Sequence, residues 1–156
     1  MNRLSSPVLC DDELAWLGDA YYFWCDIEDA EYWGTTHKRR TGYYQIYQAD
    51  IDLEKVLDTV FNEEHYRFWL SQVEKAAKKI GIATGEKPTL KEINAYFKER
   101  GSWDNVDGVL FQDLPQNQDR LMVKSFYYRK RIQVAVYNLP IVSNFSFLTQ
   151  ERCLSL

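Results

Sequence analysis

Chemistry in this sequence would start at residues 16–25, WLGDAYYFWC, where four aromatic side chains and a cysteine follow a glycine. If the stretch is extended, alternation sends Tyr21 and Phe23 to one face and Tyr22 and Trp24 to the other. Neither pair is polar. Such a strand is either buried on both sides or lends one face to a flat ligand. Cys25 would need a base beside it to act as a nucleophile, and neither histidine, His37 or His65, is near it in sequence. The three cysteines, Cys10, Cys25 and Cys153, form no CxxC pair. The histidines have no zinc-like spacing, so no metal site is expected. His37-Lys38-Arg39-Arg40 is a local basic run; a solvated loop is its plainer reading, an anion site the sharper one.

The bulk numbers narrow the function classes. A chain of 156 residues suits a single domain with one core. An apolar fraction of 46% is ordinary for a globular protein and argues against wholesale disorder. The five Trp, eleven Tyr and eight Phe suit either a core of large pieces or an aromatic cleft. A net charge of −4 opposes general nucleic-acid binding, which needs a basic face. There is no run of about 18 apolar residues and no charged-then-apolar leader pattern, so the expectation is a reduced, cytoplasmic protein that does not enter a membrane.

The elements that must position these residues follow from patterning. Residues 1–13 read as loop and 20–24 as the first strand. DIEDAEYWG, residues 26–34, reads as a short helix with Asp26 as its N-cap and Gly34 just past its end. β-Formers alternate over 43–49. Leu53, Val56, Leu57 and Val60 have the spacing of a short helix or turn. The clearest helix is 63–80, capped by Asn62, with Lys78 and Lys79 in its last turn and Gly81 as its stop. Another runs over 90–100, from a Thr89/Glu92 capping box to Gly101. NVDGVLF, MVKSFYY, RIQVAVYN and SNFSFL then read as strands. Strands and helices do not alternate regularly, which predicts an α+β domain. GxGxxG and GxxxxGK[ST] are both absent, so the familiar phosphate cradles are not expected.

Several segments together resemble a bacterial ADP-ribosyltransferase-like family. WLGDAYYFW followed by DIEDAEYWG is similar to the family's Trp-Leu-Gly strand and the short helix after it. QADIDLEKVLD, WDNVDGVLFQDLP and KRIQVAVYN follow in the family's order, over about Leu14 to Phe147. The resemblance implies a split, mostly antiparallel β core with flanking helices that grips NAD as substrate in a cleft. It places Tyr22 against the nicotinamide and Gln133 at the catalytic polar position; Gly18, Tyr22 and Trp24 would contact NAD. The implied reaction cleaves the nicotinamide–ribose bond through an oxocarbenium-like transition state. A macromolecular acceptor, a role as toxin or defence effector, and a neutralising partner protein come with that reading.

The pattern departs from the family in two places. No His-Gly-Thr or Arg-based motif precedes Trp16, and the usual catalytic glutamate is not evident: Glu13, Glu28 and Asp107 are present but not at the matched position. Gln133 can hydrogen-bond a ribose hydroxyl but carries no charge. The alternative is therefore a non-catalytic or N-terminally truncated interaction module on the same fold. A nucleic-acid module with stacked tyrosines is a third class, opposed by the acidic balance.

Overall fold

The computed structural model describes residues 2–13, 15–36, 41–113 and 131–154. The expected MVKSFYY strand and the His37–Arg40 run lie outside the described residues. Among the described residues the architecture is mixed α+β: a four-stranded sheet, a two-stranded sheet and three α-helices.

Strand β1 (Tyr21–Trp24) leads into helix α1 (Ile27–Thr36), whose first turn is held by Asp26 accepting from the Glu28 N–H at 2.9 Å. Strand β2 (Tyr43–Ile51) follows. The expected short helix or turn after it is instead strand β3 (Val56–Asp58). Val56 is buried, β3 pairs in parallel with the later strand Gly108–Asp113, and the Asp58 carboxylate takes the Val60 and Phe61 N–H groups at 3.0 and 2.8 Å. Local helical spacing lost here to a long-range ladder.

Helix α2 (Glu63–Thr84) starts at Asn62 as predicted but passes through Gly81 and ends at Gly85 in a left-handed cap. One interior glycine weakens a helix without terminating it. Lys78 and Lys79 therefore sit before the last turn. Helix α3 (Leu90–Arg100) has the predicted Thr89/Glu92 capping box and Gly101 cap. Gly34 lies inside α1 and is buried, because the helix presses on β2 there; a Cβ at Gly34 would overlap the Tyr44 ring.

Strands β4 (Gly108–Asp113), β5 (Arg131–Val136) and β6 (Val142–Arg152) complete the fold. The larger sheet has the order β1-β5-β4-β3, antiparallel except for β3–β4; β2 and β6 form the smaller one. One face of the larger sheet (Val109, Phe111, Ala135 and Tyr22) packs on Trp16, Leu17, Ala20, Trp69 and Leu90. Its other face (Leu110, Val134, Val136, Tyr21 and Phe23) meets Ile51 and Val142 from the smaller sheet and Ile141 from the turn before β6. Helices α2 and α3 close a further cluster around Ile93, Phe97 and Trp103. Both faces of the larger sheet therefore carry packing, while all four residues of β1 stay half-buried.

Residues 2–13 hold no regular element, but they are tied down rather than frayed. The Arg3 guanidinium lies 3.9 Å from the Phe147 ring centre, and the Leu4 N–H donates to the Tyr47 hydroxyl at 2.8 Å. Cys10 and Ala20 exchange backbone hydrogen bonds at 2.9 and 3.1 Å. The Lys91 ammonium donates to the carbonyls of Asp11 and Asp12 at 3.0 and 2.8 Å.

Candidate functional site: a cleft between two sheets

The two sheets touch at Ile51 and Val142. Between them lies a cleft of about 600 Å³, inside the range of small-molecule sites. All four residues of β1 line it, together with Trp33, Tyr44, Tyr47 and Phe145. Strand β1 is the end strand of its sheet, so a cleft along its edge reaches side chains on both faces. Leu4, Pro7 and Val8 border the same space.

The predicted site residues fall into two pairs. Tyr22 and Gly18 form the first. The Tyr22 hydroxyl donates to the Gly18 carbonyl at 2.7 Å and accepts from the Leu17 N–H at 3.2 Å. Its ring meets Phe111 edge-on at 6.2 Å. Burial raises the Tyr22 phenol above its ordinary pKa. Gly18 has φ +90, a conformation strained for any residue with a side chain, and a Cβ would approach Asn94 Cβ at 3.0 Å. Gly18 also borders a second cavity of about 700 Å³, with Asn94, Lys98, Trp103 and Tyr137. There the Tyr137 hydroxyl lies 2.8 Å from the Leu17 carbonyl and 3.2 Å from Asn94 Oδ1, which also accepts from Trp103 Nε1 at 3.3 Å.

Trp24 and Gln133 form the second pair, directly opposite each other across the β1–β5 ladder. Trp24 has the Trp33 ring 5.9 Å away and the Arg131 guanidinium 5.0 Å from its ring centre. The same guanidinium lies 5.9 Å from the Tyr32 ring centre. Gln133 does not stand alone. Its Nε2 donates to Asp113 Oδ2 at 3.3 Å, and Arg131 Nη2 donates to the same oxygen at 2.8 Å. The ion pair is mostly enclosed, with side-chain exposures of 18% for Arg131 and 24% for Asp113. Arg131 Nε is buried without a hydrogen-bond partner among the described residues.

Asp113, Arg131, Tyr32 and Trp33 escape the sequence reading. Arg131 and Gln133 are two apart on a strand and so share a face, which was available from alternation. Asp113 was not: its place depends on the β4–β5 register, Asp113 opposite Arg131 and Phe111 opposite Gln133. Residues 114–130 separate those strands in the chain, and no short-range rule fixes such a register.

Cys25, next to Trp24, also borders the cleft. Desolvation, then the Asp29 carboxylate, raises its thiol pKa although the residue keeps an exposed surface. Among the described residues there is no cluster of three or more His, Cys, Asp or Glu able to hold a metal, and no helix is long and apolar enough to cross a membrane. No family model, curated protein or solved structure matches the chain.

Proposed function

We propose that the chain binds NAD in the cleft between its two sheets and acts as an ADP-ribosyltransferase-like protein of the cytoplasm. The observation that carries this reading is the cleft itself: aromatic along β1 and open between the two sheets. An aromatic wall suits the flat nicotinamide ring. In this reading Tyr22 shapes the cleft through its backbone hydrogen bonds to residues 17 and 18, with Gly18 giving the turn that receives them. Trp24 approaches the ligand, whereas Gln133 stands with Phe111 and Ala135 on the sheet face turned away from the cleft, so its role rests on the family resemblance alone. The macromolecular acceptor and the neutralising partner rest on the family resemblance alone.

A second reading, a non-catalytic interaction module on the same scaffold, draws on one observation. Gln133 is uncharged, and the adjacent carboxylate of Asp113 is already paired with Arg131. Such a site is weakly equipped to stabilise a ribosyl cation.

NAD titration followed by tryptophan fluorescence tests binding. Saturable quenching that is lost in Trp24→Ala, with the thermal melt preserved, supports the cleft. A folded native chain without quenching eliminates the NAD reading. Nicotinamide release then separates enzyme from module: saturable binding without release selects the module.

A further inference from the structure

We infer that residues 4–9 form a strap across the cleft, rooted beside β1 and released at its Leu4 end to admit a ligand. The inference concerns access to the cleft and does not depend on which ligand the cleft takes.

The strap joins the two walls. Its root lies on the side of the larger sheet: Cys10 exchanges two backbone hydrogen bonds with Ala20, the residue before β1, and Lys91 Nζ holds the carbonyls of Asp11 and Asp12. Its tip lies on the smaller sheet. The Leu4 N–H donates to the hydroxyl of Tyr47 on β2 at 2.8 Å, and the Arg3 guanidinium lies 3.9 Å from the ring centre of Phe147 on β6. Leu4, Pro7 and Val8 line the cleft between these anchorages. Pro7, with its fixed φ, stiffens the crossing.

The two ends are unequally held. The root has the Cys10–Ala20 pair and both Lys91 bonds, whereas the tip has one hydrogen bond and one cation–π contact from exposed residues. No hydrogen bond joins residues 5–9 to another described residue. The side chains of Leu4, Val8 and Leu9 are 47%, 64% and 45% exposed, so little packing opposes release. The tip contacts together weight the closed state by about tenfold.

The outer edge of β1 is what release uncovers. The Cys25 N–H donates to the Ile132 carbonyl, so residues 21, 23 and 25 bond to β5 and the backbone groups of Tyr22 and Trp24 turn the other way. A ladder continued from Cys10–Ala20 would set Val8 against Tyr22, but pairing stops at that single bridge. The strap instead crosses to Tyr47, and no other described strand covers this edge. Backbone donors and acceptors beside the Trp24 ring are thus left to a polar ligand of the cleft.

The test uses a released variant, Arg3→Ala with Leu4→Pro, which lacks both the guanidinium and the Leu4 N–H. Acrylamide quenching of Trp24 is read as the difference between each chain and its Trp24→Phe counterpart. It should rise by about twofold or more on release, as the open state grows, with the thermal melt preserved. NAD is the second probe. A cleft that must first open binds with an affinity reduced by its open fraction, so the released variant should bind NAD up to about tenfold more tightly. Should the double variant fail to fold, Arg3→Ala alone, at an exposed site, should raise the quenching and tighten NAD by about threefold. Unchanged Trp24 quenching in a folded released variant overturns the strap. So does NAD binding that is unchanged or weaker on release, since residues 4–9 would then be wall rather than gate. If neither chain binds NAD, the NAD reading fails and the acrylamide comparison still decides the strap.

Discussion

Tyr22 shows how one side chain can answer to two demands. Its hydroxyl closes the turn at Leu17 and Gly18, and its ring fills the face of the sheet against Phe111. Removing the hydroxyl alone, in Tyr22→Phe, should cost about 1 kcal/mol. Tyr22→Ala should cost about 3 kcal/mol, since the ring leaves a cavity behind. Urea midpoints would check both, and nearly equal losses would show that the ring packs less than the contacts suggest. The same comparison makes Tyr22→Phe the cleaner control in ligand titrations. Cys25 carries a second residue-scale prediction. Its raised thiol pKa means less thiolate at a given pH. Alkylation by iodoacetamide near neutral pH should run slower than that of a free thiol and accelerate only in alkaline buffer. Fast labelling at neutral pH would contradict this and reopen a nucleophilic role. Alternation alone made the two faces of β1 readable in sequence. The Asp113 contact to Gln133 was hidden, because it joins two strands whose register is set by the whole sheet.

The elements differ in legibility for a physical reason. Helix α3 was readable at both ends because its capping box and glycine cap are local chemistry, closed within a few residues. Strand β3 was misread because four residues of helical spacing say nothing of the distant strand with which β3 pairs. The glycines of the other two helices were misread in opposite circumstances, and this yields a signed pair of predictions. At Gly81, in the interior of α2, the nearest atom to an added Cβ is the Glu86 carbonyl oxygen at 3.8 Å, an ordinary contact. Gly81→Ala should stabilise the protein by up to about 1 kcal/mol through helix propensity and reduced freedom of the unfolded chain. At Gly34 the Tyr44 ring already occupies the place of the methyl. Gly34→Ala should destabilise by about 1–3 kcal/mol, as overpacking does, and should loosen α1 from β2. Thermal melts of the two variants moving in the same direction would refute the packing of α1 on β2 described here.

Two sheets that meet at Ile51 and Val142 share a cleft with an aromatic wall. That larger arrangement was legible only as α+β, from the irregular order of strands and helices; the cleft lies between two sheets whose mutual packing no local pattern encodes. A consequence of the arrangement is an alkaline limit to stability. Tyr22, Tyr44 and Tyr137 each have a phenol pKa raised above the ordinary value, in every case chiefly by burial. In the unfolded chain these phenols titrate near about pH 10. Below that pH they are protonated in both states and the folded packing is retained in full. Above it the unfolded chain releases protons that the folded chain still holds, so unfolding gains free energy with each further rise in pH. Stability should therefore be flat with respect to these groups through neutral pH and fall steeply on the alkaline side of about pH 10. Melting temperatures measured across that boundary should drop less in Tyr22→Phe and Tyr137→Phe than in the native chain, because phenylalanine has no proton to lose. Equal alkaline slopes in all three proteins would mean that these hydroxyls reach water in the folded state, and that the Asn94–Trp103–Tyr137 network and the Leu17–Gly18 turn are not closed as the structure has them.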